Sequence, residues 1–244
     1  MLTLADTLLT LLIVIGLPLR AWFGMRALIA APAGGVAGLR RRLWARAILS
    51  QWTLVAIVLA VWLASHRSLA TLGLVLKPTG GLAGVMVGVV TIVAIALRQR
   101  GAVDTDPEIR QRVRARLAPV ERLMPRAGPG FLRFAALACT AGLCEEFLFR
   151  GYLAWVAGLL LPFPVAPAVQ AVVFGICHAY QGPRGIVLTT FAGAFLTAVV
   201  LVSGSLWPAV LIHALMDLYA GDLARCVFPP DLEASEAPAT PEAT

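Results

Sequence analysis

The sequence predicts an all-α integral membrane protein of about seven transmembrane helices, with a polar cavity inside its C-terminal helix bundle. Three observations carry that prediction. The chain is 59% apolar and only 14% charged over its 244 residues, against about 25% charged in soluble domains. Its mean hydropathy is +0.85. Its apolar residues gather in runs near the ~20 residues that a helix needs to cross the hydrocarbon core, and its arginines collect between those runs.

The runs fall at residues 2–23, 47–65, 80–97, 131–161, 165–180, 185–202 and 206–220. The first carries Asp6 and Arg20 near its ends. Its first charge is acidic and no clean cleavage site follows, so it is expected to stay as a membrane helix rather than act as a secretory signal. The third spaces Gly84 and Gly88 as GxxxG, which permits close helix approach but is common. The fourth is too long for one perpendicular span and is expected to tilt, bend or continue along the surface. Pro162-Phe163-Pro164 separates it from the fifth, and Ser203-Gly204-Ser205 makes the turn before the last.

The net charge of +7 is almost wholly arginine, since Lys77 is the only lysine. Such a balance in a soluble chain would suggest nucleic acid. Here the arginines read as topology signals and phospholipid contacts, with no nucleic acid expected. Arginines crowd segments 20–46 and 98–133, whereas the intervening loop holds only His66, Arg67 and Lys77. The positive-inside rule then predicts a multi-pass inner-membrane protein with its N-terminus outside and its C-terminus in the cytoplasm. Residues 107–126, in which Arg112 and Arg116, and Val113, Leu117 and Val120, recur at helical spacing, read as a basic interfacial helix. The organisation expected is an N-terminal helical part at 1–130, a site-bearing bundle at 131–224 and a disordered acidic tail at 225–244.

The chemistry gathers in the second part. Glu145 and Glu146 stand next to each other inside the fourth run, and Arg150 follows Glu146 at i,i+4. That is the favourable order for a helical ion pair. Glu145 lies about 100° round the helix and keeps no local partner. His178 follows Phe174 by four residues, and His213 precedes Asp217 by four. Asp217 is therefore expected to orient the His213 ring. Ionisable groups in lipid face inward, so these converge on one cavity. In one reading, Glu145 and His178 activate a water as general base while His213, oriented by Asp217, stabilises the oxyanion of a peptide under attack. In the other, Glu145, His178 and His213 hold a zinc, although no HExxH spacing supports it. Cys139, Cys144, Cys177 and Cys226 form no CxxC and read as buried small hydrophobes. A thiol nucleophile at Cys144 or Cys177 is the weaker alternative. A non-enzymatic immunity or scaffold protein, and a proton-coupled transporter, are further readings of the same polar cavity.

Taken in order, Glu145-Glu146-x-x-x-Arg150, Phe174-x-x-x-His178 and His213-x-x-x-Asp217 resemble the three-motif pattern of the CPBP family. These are the CAAX prenyl proteases and bacteriocin-processing (Abi) intramembrane proteases. The resemblance covers about residues 131–223. It implies an all-helical membrane fold and hydrolysis of a membrane-anchored protein or peptide. It casts Glu145 as the catalytic glutamate, His178, His213 and Asp217 as its partners, and Glu146, Arg150 and Phe174 as supporting residues. The third motif often ends in Asn, which can donate as well as accept, whereas ionised Asp217 can only accept. Both a zinc and a glutamate-activated water are compatible with the family pattern, and the second, without a cofactor, looks better. High Ala, Arg and Gly usage suggests a GC-rich bacterial genome.

Overall fold

A computed structural model describes residues 2–75, 80–126, 128 and 130–230. Among these, every regular element is helical. The tail expected to be disordered lies outside the described residues from 231 onward, and helix continues through Val227 before it.

The first helix, α1, spans Leu4–Ala30. The Thr3 side chain caps it, and Asp6 returns the bond to the Thr3 backbone. Within α1, Leu12–Gly16 is π-helical. Pro18 lies just beyond; it has no N–H, and its ring crowds the carbonyl four residues back, which opens that turn. The second helix, α2, is Val36–Ala64. Segment 20–46, expected as a loop, is therefore mostly helix, broken only around Ala33–Gly35. Its Ala, Leu and Arg residues are good helix formers, and arginine stems snorkel along apolar surface. The third, α3, is Gly80–Thr105. The Asp106 carboxylate accepts from the N–H groups of Glu108 and Ile109 to open α4, Pro107–Leu117. That helix is shorter than expected because Pro119 cannot continue it.

The fifth helix, α5, is continuous through three segments: α-helical over Gly130–Glu146, π-helical over Phe147–Leu153 and α-helical over Ala154–Leu160. Every residue of its π segment is buried, so this stretch is enclosed on all sides. It is followed by α6, Val165–Cys177, by α7, Pro183–Ser203, and by α8, Trp207–Val227.

Four helical stretches are long and apolar enough to cross a membrane: Leu4–Ala30, Ala33–Ala64, Gly80–Thr105 and Pro183–Ser203. These are α1, α2 with its leading turn, α3 and α7. The other three expected spans are helices, but composition does not mark them as spans. The 13 residues of α6 rise only about 20 Å. Any membrane-length window of α5 holds at least three of Arg133, Glu145, Glu146 and Arg150, and α8 carries His213, Asp217 and Asp222. The count of seven thus stands at four by composition.

Two features fix the frame. Near the start of α1, Asp6 is fully buried and receives both Arg67 terminal nitrogens at 2.7 Å. The Thr3 N–H and hydroxyl each donate to it at 2.8 Å, and the Tyr152 hydroxyl reaches its Oδ1 at 3.2 Å and its backbone carbonyl at 3.0 Å. Arg67 also lies over the Trp155 ring at 4.4 Å. Its bonds to Asp6 raise its pKa above the ordinary arginine value. This centre ties α1 and the loop after α2 to the π segment of α5. Elsewhere, Arg122 donates to the carbonyls of Leu28, Ile29 and Ala31, and Arg100 pairs with Asp222 at 2.9 Å. The two arginine-rich segments therefore meet each other and the last turns of α8. The Gly84/Gly88 spacing makes no close helix contact: an added Cβ at either would meet nothing within 4 Å.

Candidate active site

Glu145 and Glu146 end the α-helical part of α5, at the threshold of its π segment. Single π turns often mark functional sites. Here the change of winding lies between the two carboxylates and Arg150. Arg150 Nη1 still reaches Glu146 Oε1 at 2.9 Å, as the i,i+4 spacing predicts, with both side chains almost wholly buried. Arg150 Nη2 donates to the Gly193 carbonyl on α7 at 3.1 Å, and its guanidinium lies 4.0 Å from the Phe174 ring centre. Gly193 must be small: a Cβ there would stand 3.1 Å from the Phe174 ring and 3.3 Å from Arg150 Nη2.

Helix α8 lies close against α5 because Gly142 has no side chain. A Cβ at Gly142 would come within 2.8 Å of the Ala214 nitrogen and 3.0 Å of the Val210 carbonyl. That approach brings His213 Nδ1 to 2.7 Å from Glu146 Oε1. The expected orienting role of Asp217 is therefore corrected. Asp217 Oδ2 lies 3.9 Å from His213 Nε2, beyond a hydrogen bond, and its side chain is 42% exposed. Sharing a face of α8 is not enough, because the ring turns its Nδ1 across to α5. Glu146 thus serves Arg150 and His213 through one oxygen.

His178 caps the end of α6. Its Nδ1 lies 2.9 Å from the Phe174 carbonyl. A carbonyl only accepts, so Nδ1 carries the proton and Nε2 of the neutral ring is an acceptor. That Nε2 faces Glu145 Oε2 at 3.8 Å, and His213 Nε2 faces the same oxygen at 4.0 Å. Phe174 packs among these groups, edge-on to Phe149 at 4.9 Å and tilted against His178 at 4.7 Å.

The structure thus gathers Glu145, Glu146, Arg150, Phe174, His178 and His213 around one point, with Asp217 beside them. Glu145 Oε2 is buried and accepts no hydrogen bond among the described residues. Glu146 Oε2 is in the same position, but it is Glu145 Oε2 that faces two imidazole nitrogens. Gaps of 3.8–4.0 Å are too long for direct hydrogen bonds and suit a bridging water. The other oxygen, Oε1, accepts from Gln51 Nε2 on α2 at 2.9 Å. The sequence reading missed Gln51; a lone amide inside an apolar run was the available signal.

Glu145, His178 and His213 are the residues that would hold a zinc. Ligand atoms at 2.0–2.2 Å around a tetrahedral ion stand about 3.4 Å apart. Glu145 Oε2 stands farther than that from both ring nitrogens, at 3.8 and 4.0 Å, and no trio of metal-ligating side chains among the described residues is arranged to hold an ion. Cys144 and Cys177 are buried in the apolar cluster with Leu148 and Phe149, away from the role of an exposed nucleophile. A cavity of about 270 Å³ next to Arg150, Gln170 and Thr197 includes none of Glu145, His178 and His213.

Residues 127–219 match the model of a family described as type II CAAX prenyl endopeptidase, Rce1-like. The match supports the CPBP/CAAX resemblance carried by the three motifs, and it spans all of them. No curated protein matches the chain, and neither does any solved structure. The matched family is one of membrane proteases, hydrolases that act on membrane-associated peptides. The matched stretch excludes α1, α2 and α3, and so excludes Gln51.

Proposed function

We propose that the protein is an intramembrane endopeptidase that hydrolyses a peptide bond of a membrane-anchored protein or peptide without a cofactor. We place it in a bacterial inner membrane with the N-terminus outside and the C-terminus in the cytoplasm. The observation that carries this reading is the pair of acceptors, Glu145 Oε2 and His178 Nε2, facing each other at 3.8 Å. Two acceptors cannot bond each other. A water between them donates one hydrogen to each, which leaves an oxygen lone pair free for attack.

In the reaction, the water oxygen bonds to the scissile carbonyl carbon as its proton passes to Glu145 Oε2. The electron pair of the carbonyl moves to its oxygen. His213, carrying both ring protons, donates from Nε2 to that oxyanion while Nδ1–H stays on Glu146. The C–N bond then breaks, and the proton held by Glu145 goes to the leaving amine. Glu146 and Arg150 keep their charges paired and hold His213 in place. Asp217 contributes only its charge at the edge of the site.

The test compares protein termini, by mass spectrometry, in membranes of cells carrying wild type or Glu145→Gln at equal abundance. Termini found only with wild type are expected and would name the substrate. Identical termini in both would sink the reading. Repeating the comparison with a chelator addresses the zinc alternative.

A further inference from the structure

Gln51 stands 94 positions before Glu145, on a helix outside the matched stretch, yet donates to its carboxylate at 2.9 Å. The contact belongs to a seam along which α2 lies on α5. Trp44 packs edge-on to Phe134 at 5.6 Å, and Trp52 Nε1 reaches Thr140 Oγ1 at 3.4 Å. Packing is thus supplied by aromatic residues on either side, and Gln51 is not needed for it. The amide also comes at a cost. Its Oε1 is buried and accepts no hydrogen bond among the described residues, a penalty that Met or Leu would avoid.

A carboxylate turns broadly about its last torsion, so Glu145 needs something to decide which oxygen faces the imidazoles. We propose that Gln51 is a positioning residue for Glu145: its amide N–H holds Oε1, so that Oε2 is the oxygen presented to His178 and His213. This rests on the reading of Glu145 as the general base. It makes the N-terminal helices part of the site rather than only its anchor.

The test is infrared difference spectroscopy on the purified full chain in lipid nanodiscs, with the Glu145 carboxylate bands identified by their loss in Glu145→Gln. Gln51→Met keeps the volume and removes the donor. It is expected to shift those bands and to slow the accumulation of wild-type-specific termini about 10–100-fold, the worth of one charge-assisted bond. Gln51→Asn keeps a buried amide about 1.5 Å short of Oε1 and should shift the bands in the same direction, even if the Met variant fails to fold. Bands that superimpose on wild type in either folded variant overturn the proposal. Shifted bands together with termini unaffected by Glu145→Gln leave the hydrogen bond standing and overturn the hydrolytic reading alone.

Discussion

The carboxylates of Asp6 and Glu145 are built to opposite specifications. At Asp6, both carboxylate oxygens are saturated by Arg67, Thr3 and Tyr152. At Glu145, one oxygen is held by Gln51 while the other faces two ring nitrogens across gaps of 3.8 and 4.0 Å. A saturated carboxylate can stabilise a fold but has no lone pair left for chemistry. An unsaturated one costs stability and is ready to take a proton. Glu146 lies between the two cases, with one oxygen shared by Arg150 and His213.

Exchanging the two losses gives the sharpest test. Glu145→Gln is expected to lower cleavage by about 10²–10⁴-fold while thermal unfolding stays at or above the wild-type temperature, since no saturated bond is lost. Asp6→Asn should do the reverse. It strands Arg67 and costs about 3–5 kcal/mol, read by thermal unfolding in detergent, while each folded molecule keeps its cleavage rate. Equal loss of rate in both variants would erase the distinction between the centres. Arg150→Met strands Glu146 and is expected to cost a similar 3–5 kcal/mol and also activity, because His213 loses its fixed neighbour. Asp217→Asn should be mild. At 3.9 Å and 42% exposed, its pairing is worth about 0.2–1 kcal/mol, so the rate of terminus formation should fall no more than about fivefold. A chelator should leave that rate unchanged.

Much of this was legible in the sequence, and the limits are instructive. Every apolar run became a helix, because length and composition suffice for that. The Glu146–Arg150 pair was legible because both partners share a helix. His178 and His213 were legible as ionisable groups in lipid that must face inward. What failed was pairing across helices. Asp6 and Arg67 are 61 positions apart, and Gln51 and Glu145 are 94 apart; local periodicity says nothing about such distances. The same blindness assigned His213 to Asp217, its helical neighbour, when the gap left by Gly142 lets Glu146 take the ring. Composition supports four of the seven expected spans, and the other three escape it for related reasons. Among the helices that carry the site, α5 and α8 hold charged groups that a composition test reads as unsuited to lipid, and α6 is short.

The wide turns of Phe147–Leu153 lie between Glu145 and Trp155 on α5, the helix that meets both acidic centres. Deleting one residue from an ordinary α-helical stretch would rotate everything beyond by about 100°, whereas this wider segment takes up an extra residue with little change of phase. Glu146 thus meets His213 on α8 while Tyr152 and Trp155 stay on Asp6 and Arg67. The extra width of that turn thus takes up chain without turning the rest of the helix. It lets one helix point its chemistry at α8 and its anchor at α1.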